Sequence, residues 1–192
     1  MSFKRKIEAL YQIVAEQTLT LWHGGNLEFA QENIAHKGGR WEYGPGLYLT
    51  THYDTARKYS KGSRKLYRVT VAKGVNLYDV SLPLPTVMAF VNSDVIKAKR
   101  KDIVERIDKH TKAGSINAET FLNIIINESA IKNTNTDRLR TFFVQNGIDY
   151  SIQDNAFGTH ERMLVLFNMK KIVNKEIVKP TEKVFDLPTQ WM

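Results

Sequence analysis

The chain has 192 residues, of which 42% are hydrophobic and 25% charged, and this suits a single globular domain over residues 1–192 with an inserted segment. It has no cysteine, which excludes disulfides, thiolate nucleophiles and cysteine-ligated zinc. A net charge of +8 favours polyanionic partners, and the lack of an apolar run of roughly 18 residues argues against a membrane span, so we expect a cytoplasmic protein without a membrane partner.

The N-terminal segments alternate between helical and strand-like patterns. Residues 3–17 carry apolar side chains at helical spacing, and Glu8 and Glu16 interrupt them, which predicts an amphipathic N-terminal helix rather than a signal peptide. The run TLTLWHGG then predicts a strand that ends at glycines. Residues 26–36 suit a short helix, and residues 37–46 form a glycine-rich loop.

The next segments predict a compact strand–helix–strand unit. GLYLT is typical of a short strand, and THYDTARKYS predicts a helix with Thr51 as N-cap and Asp54 as its capping-box partner. KLYRVTVAKGVNLYDV has a strand pattern with a turn at Lys73–Gly74. Pro83 and Pro85 are then expected to break regular structure.

The second half changes character. Residues 86–145 have helical spacing and predict a mainly helical insert that is broken near residues 113–115. Two strand-like runs, IDYSIQD and RMLVLFN, then flank a loop at residues 155–160, and KEIVKP predicts a further strand. This order predicts an α+β domain whose sheet is split in sequence by the helical insert.

Four residues could carry chemistry at the ends of these elements. His23 ends the first strand, Tyr48 lies in the second, Tyr59 closes the following helix, and Glu161 opens the strand MLVLF. Taken singly, they have simpler interpretations, namely a hydrogen-bonded histidine, two core aromatics and a solvated glutamate. Their order along the chain and the motifs around them favour a functional role.

Three motifs in this order resemble the ADP-ribosyltransferase superfamily, in the His-Tyr-Glu branch shared by diphtheria-type toxins and poly(ADP-ribose) polymerases. LWHGG resembles the family's first-strand histidine and glycine, and GPGLYLTTHYDTARKY resembles its tyrosine-bearing strand and helix. NGIDYSIQDNAFGTHERMLVLFNMKKI resembles its final strand, loop and glutamate. The resemblance covers about half of the chain and implies the family's split-sheet fold and an enzyme that cleaves the nicotinamide–ribose bond of NAD, without a metal.

The chemistry of NAD cleavage requires such residues. Breaking the glycosidic bond develops an oxocarbenium-like cation on the ribose, which Glu161 would stabilise while it binds the ribose 2′-hydroxyl. Tyr48 and Tyr59 would sandwich the cationic pyridinium. By resemblance, His23 would bind the adenosine ribose, and the Gly24 backbone would bind the nicotinamide carboxamide. The resemblance thus implies a catalytic set of Glu161, His23 and Tyr48 and an NAD-binding set of His23, Gly24, Tyr48 and Tyr59.

Two positions depart from the family pattern. Ala56 stands where the polymerases usually have a serine that helps to hold the carboxamide, which leaves a catalytically inactive NAD- or ADP-ribose-binding module as an alternative. Thr159 stands where arginine-modifying members have a glutamate, which argues against arginine as the acceptor.

The acceptor has weaker signals. Arg40, Trp41, Tyr43 and His160 are candidate acceptor-binding residues, and the basic run at residues 97–112 is either a solvated helix face or a phosphate-binding surface. The positive charge favours a nucleic-acid acceptor over a protein acceptor. Some bacterial relatives that modify DNA or RNA are toxins, so the resemblance also implies a toxin with a neutralising antitoxin protein as partner.

Two further classes stay open. An RNA 2′-phosphotransferase of related fold would hold phosphate with a histidine and several arginines, and the arginines here do not match that placement well; they are Arg57, Arg64, Arg68 and Arg162. A basic nucleic-acid binder without an active site would leave the ordered motifs to chance. The five histidines are scattered along the chain, so no metal-ligand spacing is present.

Overall fold

The computed structural model describes residues 17–28, 43–60, 65–156 and 160–178. Over these residues the protein has an α+β fold with a six-stranded sheet and a separate two-stranded sheet. The predicted helix over 3–17 lies outside the described residues except at its last residue, and most of the predicted helix over 26–36 lies outside them too. Thr159 is also outside, as are Arg40 and Trp41 of the glycine-rich loop.

Strands from both ends of the chain share the main sheet, as the split in sequence predicts. It consists of β1 (Thr18–Gly24), β2 (Leu47–Thr50), β3 (Leu66–Ala72), β6 (Tyr150–Ala156), β7 (Glu161–Leu166) and β8 (Ile172–Val178), and a helix, α1 (Tyr53–Tyr59), follows β2. The strand order is β6-β7-β2-β1-β3-β8, and all neighbouring strands are antiparallel.

The strand β1 is joined unequally to its two neighbours. Seven residue pairs connect it to β3, whereas one pair, Trp22↔Thr50, connects it to β2. Beside that pair, His23 Nδ1 lies 2.9 Å from the carbonyl oxygen of Tyr48. A side chain therefore links β1 to β2 where main-chain pairing is sparse.

The segment between β3 and β6 is mainly helical, which confirms that prediction. Its helices are α2 (Leu84–Asp94), α3 (Arg100–His110), α4 (Ala118–Asn127) and α5 (Thr136–Gln145). At the predicted break lies β5 (Ser115–Asn117), which follows two residues of positive φ, Ala113 and Gly114, and pairs antiparallel with β4 (Ser81–Pro83). None of the helices in the described ranges is long and apolar enough to cross a membrane.

Two local predictions in this region are wrong. Pro85 does not interrupt regular structure, because it lies in the first turn of α2, where a backbone N–H has no helical partner to lose. The strand pattern after Gly74 instead forms a 3₁₀ turn at Leu77–Asp79. The reason is tertiary, since the Val75 N–H donates to Asp149 Oδ2 at 2.9 Å and draws the chain toward the start of β6.

Asp149 and Tyr150 hold the two ends of the helical segment together. The other Asp149 oxygen, Oδ1, accepts a 2.7 Å hydrogen bond from the Asn168 amide. The Tyr150 hydroxyl donates to the Gly74 carbonyl at 2.9 Å and accepts from the Gly74 N–H at 3.2 Å. Burial raises the pKa of Tyr150, which keeps this hydroxyl protonated as a donor.

Each face of the sheet buries its own apolar cluster. The helical segment packs on one face, where Phe121, Phe143 and Phe167 are fully buried. The opposite face buries alternate strand residues such as Leu21 and Leu164. Because strand side chains alternate between faces, Tyr48 and its partner Val165 lie on the helical side.

Candidate active site

Glu161 is the first residue of β7 and is buried, with 2% of its surface exposed. The Thr50 hydroxyl donates to Oε1 through a short hydrogen bond, and the Thr55 hydroxyl donates to Oε2 at 2.9 Å. The simpler interpretation of Glu161 as a solvated residue is therefore wrong. The carboxylate lies where β2, α1 and β7 meet and is bonded to both other elements.

The hydrogen-bond directions around Thr50 fit an acceptor carboxylate. The His52 N–H donates to Thr50 Oγ1 at 3.0 Å, which leaves the Thr50 hydroxyl proton for Glu161. Each Glu161 oxygen then accepts one of these hydrogen bonds, and a carboxylate oxygen has two acceptor sites. Glu161 thus retains capacity to accept a hydrogen bond from a substrate hydroxyl.

Tyr48 lies on the same face of the sheet as Glu161. Tyr48 and Thr50 are two residues apart in β2 and therefore share a face of the sheet. Thr50 pairs with Met163, which lies two residues after Glu161 in β7 and so shares the face of Glu161. The Tyr48 hydroxyl donates to the Gly44 carbonyl at 2.9 Å and accepts from a main-chain N–H in the preceding loop. Gly44 has a φ of +117°, which other residues rarely adopt, so a glycine is needed for this bond.

His23 contacts the backbone of Tyr48, because its Nδ1 lies 2.9 Å from the Tyr48 carbonyl oxygen. Trp22 pairs with Thr50, so strand alternation places His23 and its cross-strand partner Tyr67 on the face opposite Tyr48. The structure therefore brings Glu161 and Tyr48 to one face and holds His23 on the other face, at the junction between β1 and β2. The roles predicted for these residues toward NAD stay predictions.

Gly24 is the point at which α1 touches β1. A Cβ at this position would lie 1.6 Å from the carbonyl oxygen of Ala56. Ala56 is buried with Trp22, Tyr53 and Leu66, so this position carries an apolar contact. Gly24 thus has a packing role in addition to the predicted contact with the carboxamide.

Tyr59 is not a core aromatic, because it ends α1 with 66% of its surface exposed. Thr55 and Tyr59 are four residues apart and lie on the same side of the helix. The ring therefore projects from the side of α1 that contacts Glu161, and its exposure leaves it accessible to a ligand. The predicted sandwich with Tyr48 stays a prediction.

The predicted capping box at Thr51 and Asp54 is wrong. The N-cap of α1 is His52, and no side chain caps the helix. Thr51 is fully buried, and its hydroxyl accepts a 3.0 Å hydrogen bond from the Arg162 N–H. This contact binds the β2–α1 turn to β7 beside Glu161, so Thr51 holds the site together instead of starting the helix.

Two candidate acceptor-binding residues lie within the described ranges. Tyr43 is half-buried, and its N–H donates to the Tyr48 hydroxyl at 3.2 Å. His160 is exposed, has a φ of +51° and directly precedes Glu161. Both residues are thus next to the proposed catalytic side chains in the chain or in space.

The basic run at residues 97–112 is partly structural. Lys99 Nζ donates to the carbonyl of Ser129 at 3.2 Å, and Arg100 Nε donates to the carbonyl of Val95 at 3.1 Å. Lys97 and Lys101 are exposed. Lys109 and Lys112 are exposed as well, so these four lysines, rather than the whole run, remain candidates for phosphate contacts.

Thr50 and Thr55 could not be recognised as site residues from the sequence, because their partner Glu161 lies more than 100 residues away in the chain. In the described ranges, no group of three or more histidine, aspartate or glutamate side chains could hold a metal ion.

The chain matches no protein-family model, no curated protein and no solved structure.

Proposed function

We propose that the protein is an NAD-dependent ADP-ribosyltransferase that modifies a macromolecule, with nucleic acid favoured over protein as the acceptor. The observation that carries this proposal is the Glu161 carboxylate, which two threonine hydroxyls fix on the face of the sheet that also carries Tyr48. A fixed carboxylate of low exposure stabilises a developing cation without having to reorganise.

In this proposal, the bond between ribose C1′ and the pyridinium nitrogen breaks, and nicotinamide leaves with the bonding electron pair as a neutral molecule. Glu161 stabilises the positive charge that develops on the ribose and accepts a hydrogen bond from its 2′-hydroxyl. An acceptor nucleophile then attacks C1′ and releases one proton. NAD is thus consumed as a co-substrate.

The preference for nucleic acid rests on charge. The chain has 28 lysines and arginines against 20 acidic residues. Lys97 and Lys101 are exposed at the start of α3, and phosphates would find cations there that no ion pair occupies within the described residues. An enzyme that modifies nucleic acid would be toxic to its own cell, so we also propose a neutralising protein as a partner.

A second candidate is a module that binds NAD or ADP-ribose without turning it over. The observation that favours it is the low exposure of Glu161, since a carboxylate with hydrogen bonds at both oxygens can also be a purely structural link. The apolar surroundings of Ala56 agree with this candidate, because they supply no hydroxyl for the carboxamide.

Glu161→Gln separates the two candidates. The purified protein and this variant would be incubated with NAD labelled in its adenylate part and a cell lysate, which is then divided for nuclease or protease digestion. Glu105→Gln, at an exposed glutamate of α3, is the matched control. Free nicotinamide is measured in parallel.

We expect nuclease-sensitive label that disappears with Glu161→Gln and persists with Glu105→Gln. Protease-sensitive label would give a protein acceptor. If the wild-type protein binds NAD but produces neither label nor nicotinamide, the binding module is correct and the transferase proposal is wrong.

A further inference from the structure

A second carboxylate, that of Glu119, lies on the side of the sheet that carries Glu161. Glu119 is in the first turn of α4, and Leu122, one turn later, belongs to the apolar cluster that covers this side. A Cβ at Gly44 would lie 3.2 Å from Leu122 Cδ2, and the Gly44 carbonyl accepts the hydrogen bond from the Tyr48 hydroxyl. The start of α4 therefore adjoins the loop that holds Tyr48.

Tyr78 connects Glu119 to the sheet. Its hydroxyl donates a hydrogen bond to the Glu119 carboxylate and is also hydrogen-bonded to the Gln153 side chain of β6. Asn117, the N-cap of α4, donates its side-chain amide to the Tyr78 carbonyl at 3.1 Å. Burial and the Glu119 carboxylate raise the pKa of Tyr78, so its hydroxyl stays protonated and keeps donating. The Glu119 carboxylate is thus held in a defined position.

Gln153 places this pair of residues close to Glu161. It pairs with Met163, two residues after Glu161 in β7, so Gln153 and Glu161 share a face of the sheet. Diagonal neighbours of this kind have Cα atoms about 7–8 Å apart. The register between β6 and β7 also shifts between Gln153 and the pair Ala156↔Glu161, and such irregularities are common beside active sites. Hydrogen-bonded side chains therefore extend from the neighbourhood of Glu161 to Glu119.

The Glu119 carboxylate is accessible and retains capacity to accept hydrogen bonds. Glu119, Tyr78 and Gln153 are each partly exposed. A carboxylate has about four acceptor sites, and the contacts with Tyr78 and with the Asn123 amide, at 3.5 Å, use two of them. Its negative charge repels phosphate, so a nucleic acid would meet it with a hydrogen-bond donor. Adenine, cytosine and guanine carry an exocyclic amino group, whereas uracil and thymine carry none.

We infer that Glu119 is an acceptor-binding residue, whose carboxylate accepts a hydrogen bond from the exocyclic amino group of a nucleobase. This inference rests on the proposed function, because it takes nucleic acid as the ADP-ribose acceptor. Tyr78 is a positioning residue, because it orients the Glu119 carboxylate through its hydroxyl. The modified base is then adenine, cytosine or guanine, and uracil and thymine are poor acceptors.

Oligouridine strands that carry a single adenosine, cytidine or guanosine test the inference, together with oligothymidine strands that carry the corresponding deoxynucleotides. The unsubstituted homopolymers are the reference acceptors. Transfer of label from NAD, release of nicotinamide, KM for NAD and the melting temperature would be measured for the wild type, Glu119→Ala and Tyr78→Phe. Glu105→Ala, at an exposed glutamate of α3, is the matched control.

We expect the wild type to label strands with an amino-bearing base about tenfold or more faster than the homopolymers. Glu119→Ala should lose this preference, and its kcat/KM for the preferred strand should fall about 10- to 100-fold, the size of a hydrogen bond to a charged group. KM for NAD should stay at the wild-type value. Tyr78→Phe should lose about two- to tenfold, because it keeps the carboxylate and removes only the group that orients it. Glu105→Ala should match the wild type.

A Glu119→Ala variant that keeps the wild-type preference among bases would overturn the inference. So would equal losses on all strands with a lower melting temperature, because they would make Glu119 a structural residue. If Glu119→Ala does not fold, Tyr78→Phe decides, and an unchanged kcat/KM on the preferred strand overturns the inference. A wild-type protein that releases nicotinamide but labels no strand keeps NAD cleavage and contradicts this inference. One that produces neither label nor nicotinamide contradicts the proposed function and this inference together.

Discussion

Thr55 orients the proposed catalytic carboxylate, because its hydroxyl donates to Glu161 Oε2 from the neighbouring helix. Thr55→Val keeps the shape of the side chain and removes this donor. We expect kcat for nicotinamide release to fall by about 10- to 100-fold, as small displacements of a reacting group do, with a smaller change in KM.

Thr55→Ser is the matched variant, because it restores the hydroxyl. It should recover most of the lost kcat in the same nicotinamide assay. If Thr55→Val and wild type have equal kcat, the orientation of Glu161 does not depend on this hydrogen bond.

Replacing Gly24 with a larger residue should lower the stability of the fold. In Gly24→Ala, the new methyl group would meet the Ala56 carbonyl, a backbone atom that cannot rotate away. We expect the free energy of unfolding to fall by about 1–3 kcal/mol or more, as forced overpacking does. Urea denaturation followed by circular dichroism would measure it.

Gly114→Ala is the control for this change. Gly114 has a φ of +76° and no atom near the position of a Cβ, so alanine there costs only backbone strain. A Gly24→Ala variant as stable as Gly114→Ala would show that α1 does not pack against β1 as described.

At the scale of single residues, only part of the candidate site is predictable from the sequence. Motif order singles out Glu161, Tyr48 and His23, because each stands at a strand end or inside a short strand. The sequence does not indicate that Thr50 and Thr55 bind Glu161, because that requires the register between β2 and β7. The exposure of Tyr59 likewise depends on how α1 sits on the sheet.

At the scale of elements, the basic side chains near the start of α3 are of two kinds, exposed and hydrogen-bonded to the backbone. Lys97→Gln with Lys101→Gln removes charges that are exposed, and Lys99→Gln with Arg100→Gln removes hydrogen bonds to backbone carbonyls of neighbouring segments. We expect the first pair to weaken binding of a single-stranded oligonucleotide and to flatten its salt dependence without lowering the melting temperature.

The second pair should lower the melting temperature, because it releases the start of α3 from its neighbours. Fluorescence anisotropy at several salt concentrations and differential scanning calorimetry would measure the two effects. Unchanged oligonucleotide affinity in the first pair would place the phosphate-binding surface elsewhere.

Element boundaries were predictable where a local rule decides them. Alternating hydrophobicity marks β1 and β3, a continuous apolar run marks β7, and helical spacing marks the insert. The strand expected after Gly74 fails because a carboxylate from a distant part of the chain, Asp149, binds the Val75 N–H. The expected capping box fails because burying Thr51 against β7 outweighs its local preference for an N-cap.

For the whole molecule, Asp149 closes the path of the chain around the helical segment. Asp149→Ala would remove the acceptor of the Val75 N–H and the acceptor of the Asn168 side-chain amide. We expect a loss of about 1–3 kcal/mol in the free energy of unfolding, because hydrogen bonds to the buried Asp149 carboxylate are lost. Urea denaturation would measure it.

Asp108→Ala, at an exposed position near the end of α3, is the control and should change the free energy of unfolding by less than about 0.5 kcal/mol. Equal stability of the two variants would show that the ends of the helical segment are held by packing alone.

A single residue pair joins β1 to β2, so the sheet consists of two three-stranded halves, β6-β7-β2 and β1-β3-β8, that are weakly joined at the β1–β2 junction. Amide protons inside each half are protected by inter-strand hydrogen bonds, and few of those at the junction have an inter-strand partner. Deuterium exchange would therefore penetrate the sheet from its middle rather than from its edges, which is the reverse of the usual order for an antiparallel sheet. Glu161 and His23 lie in different halves of the sheet, so a structural change at one of these proposed catalytic residues would reach the other only across the β1–β2 junction.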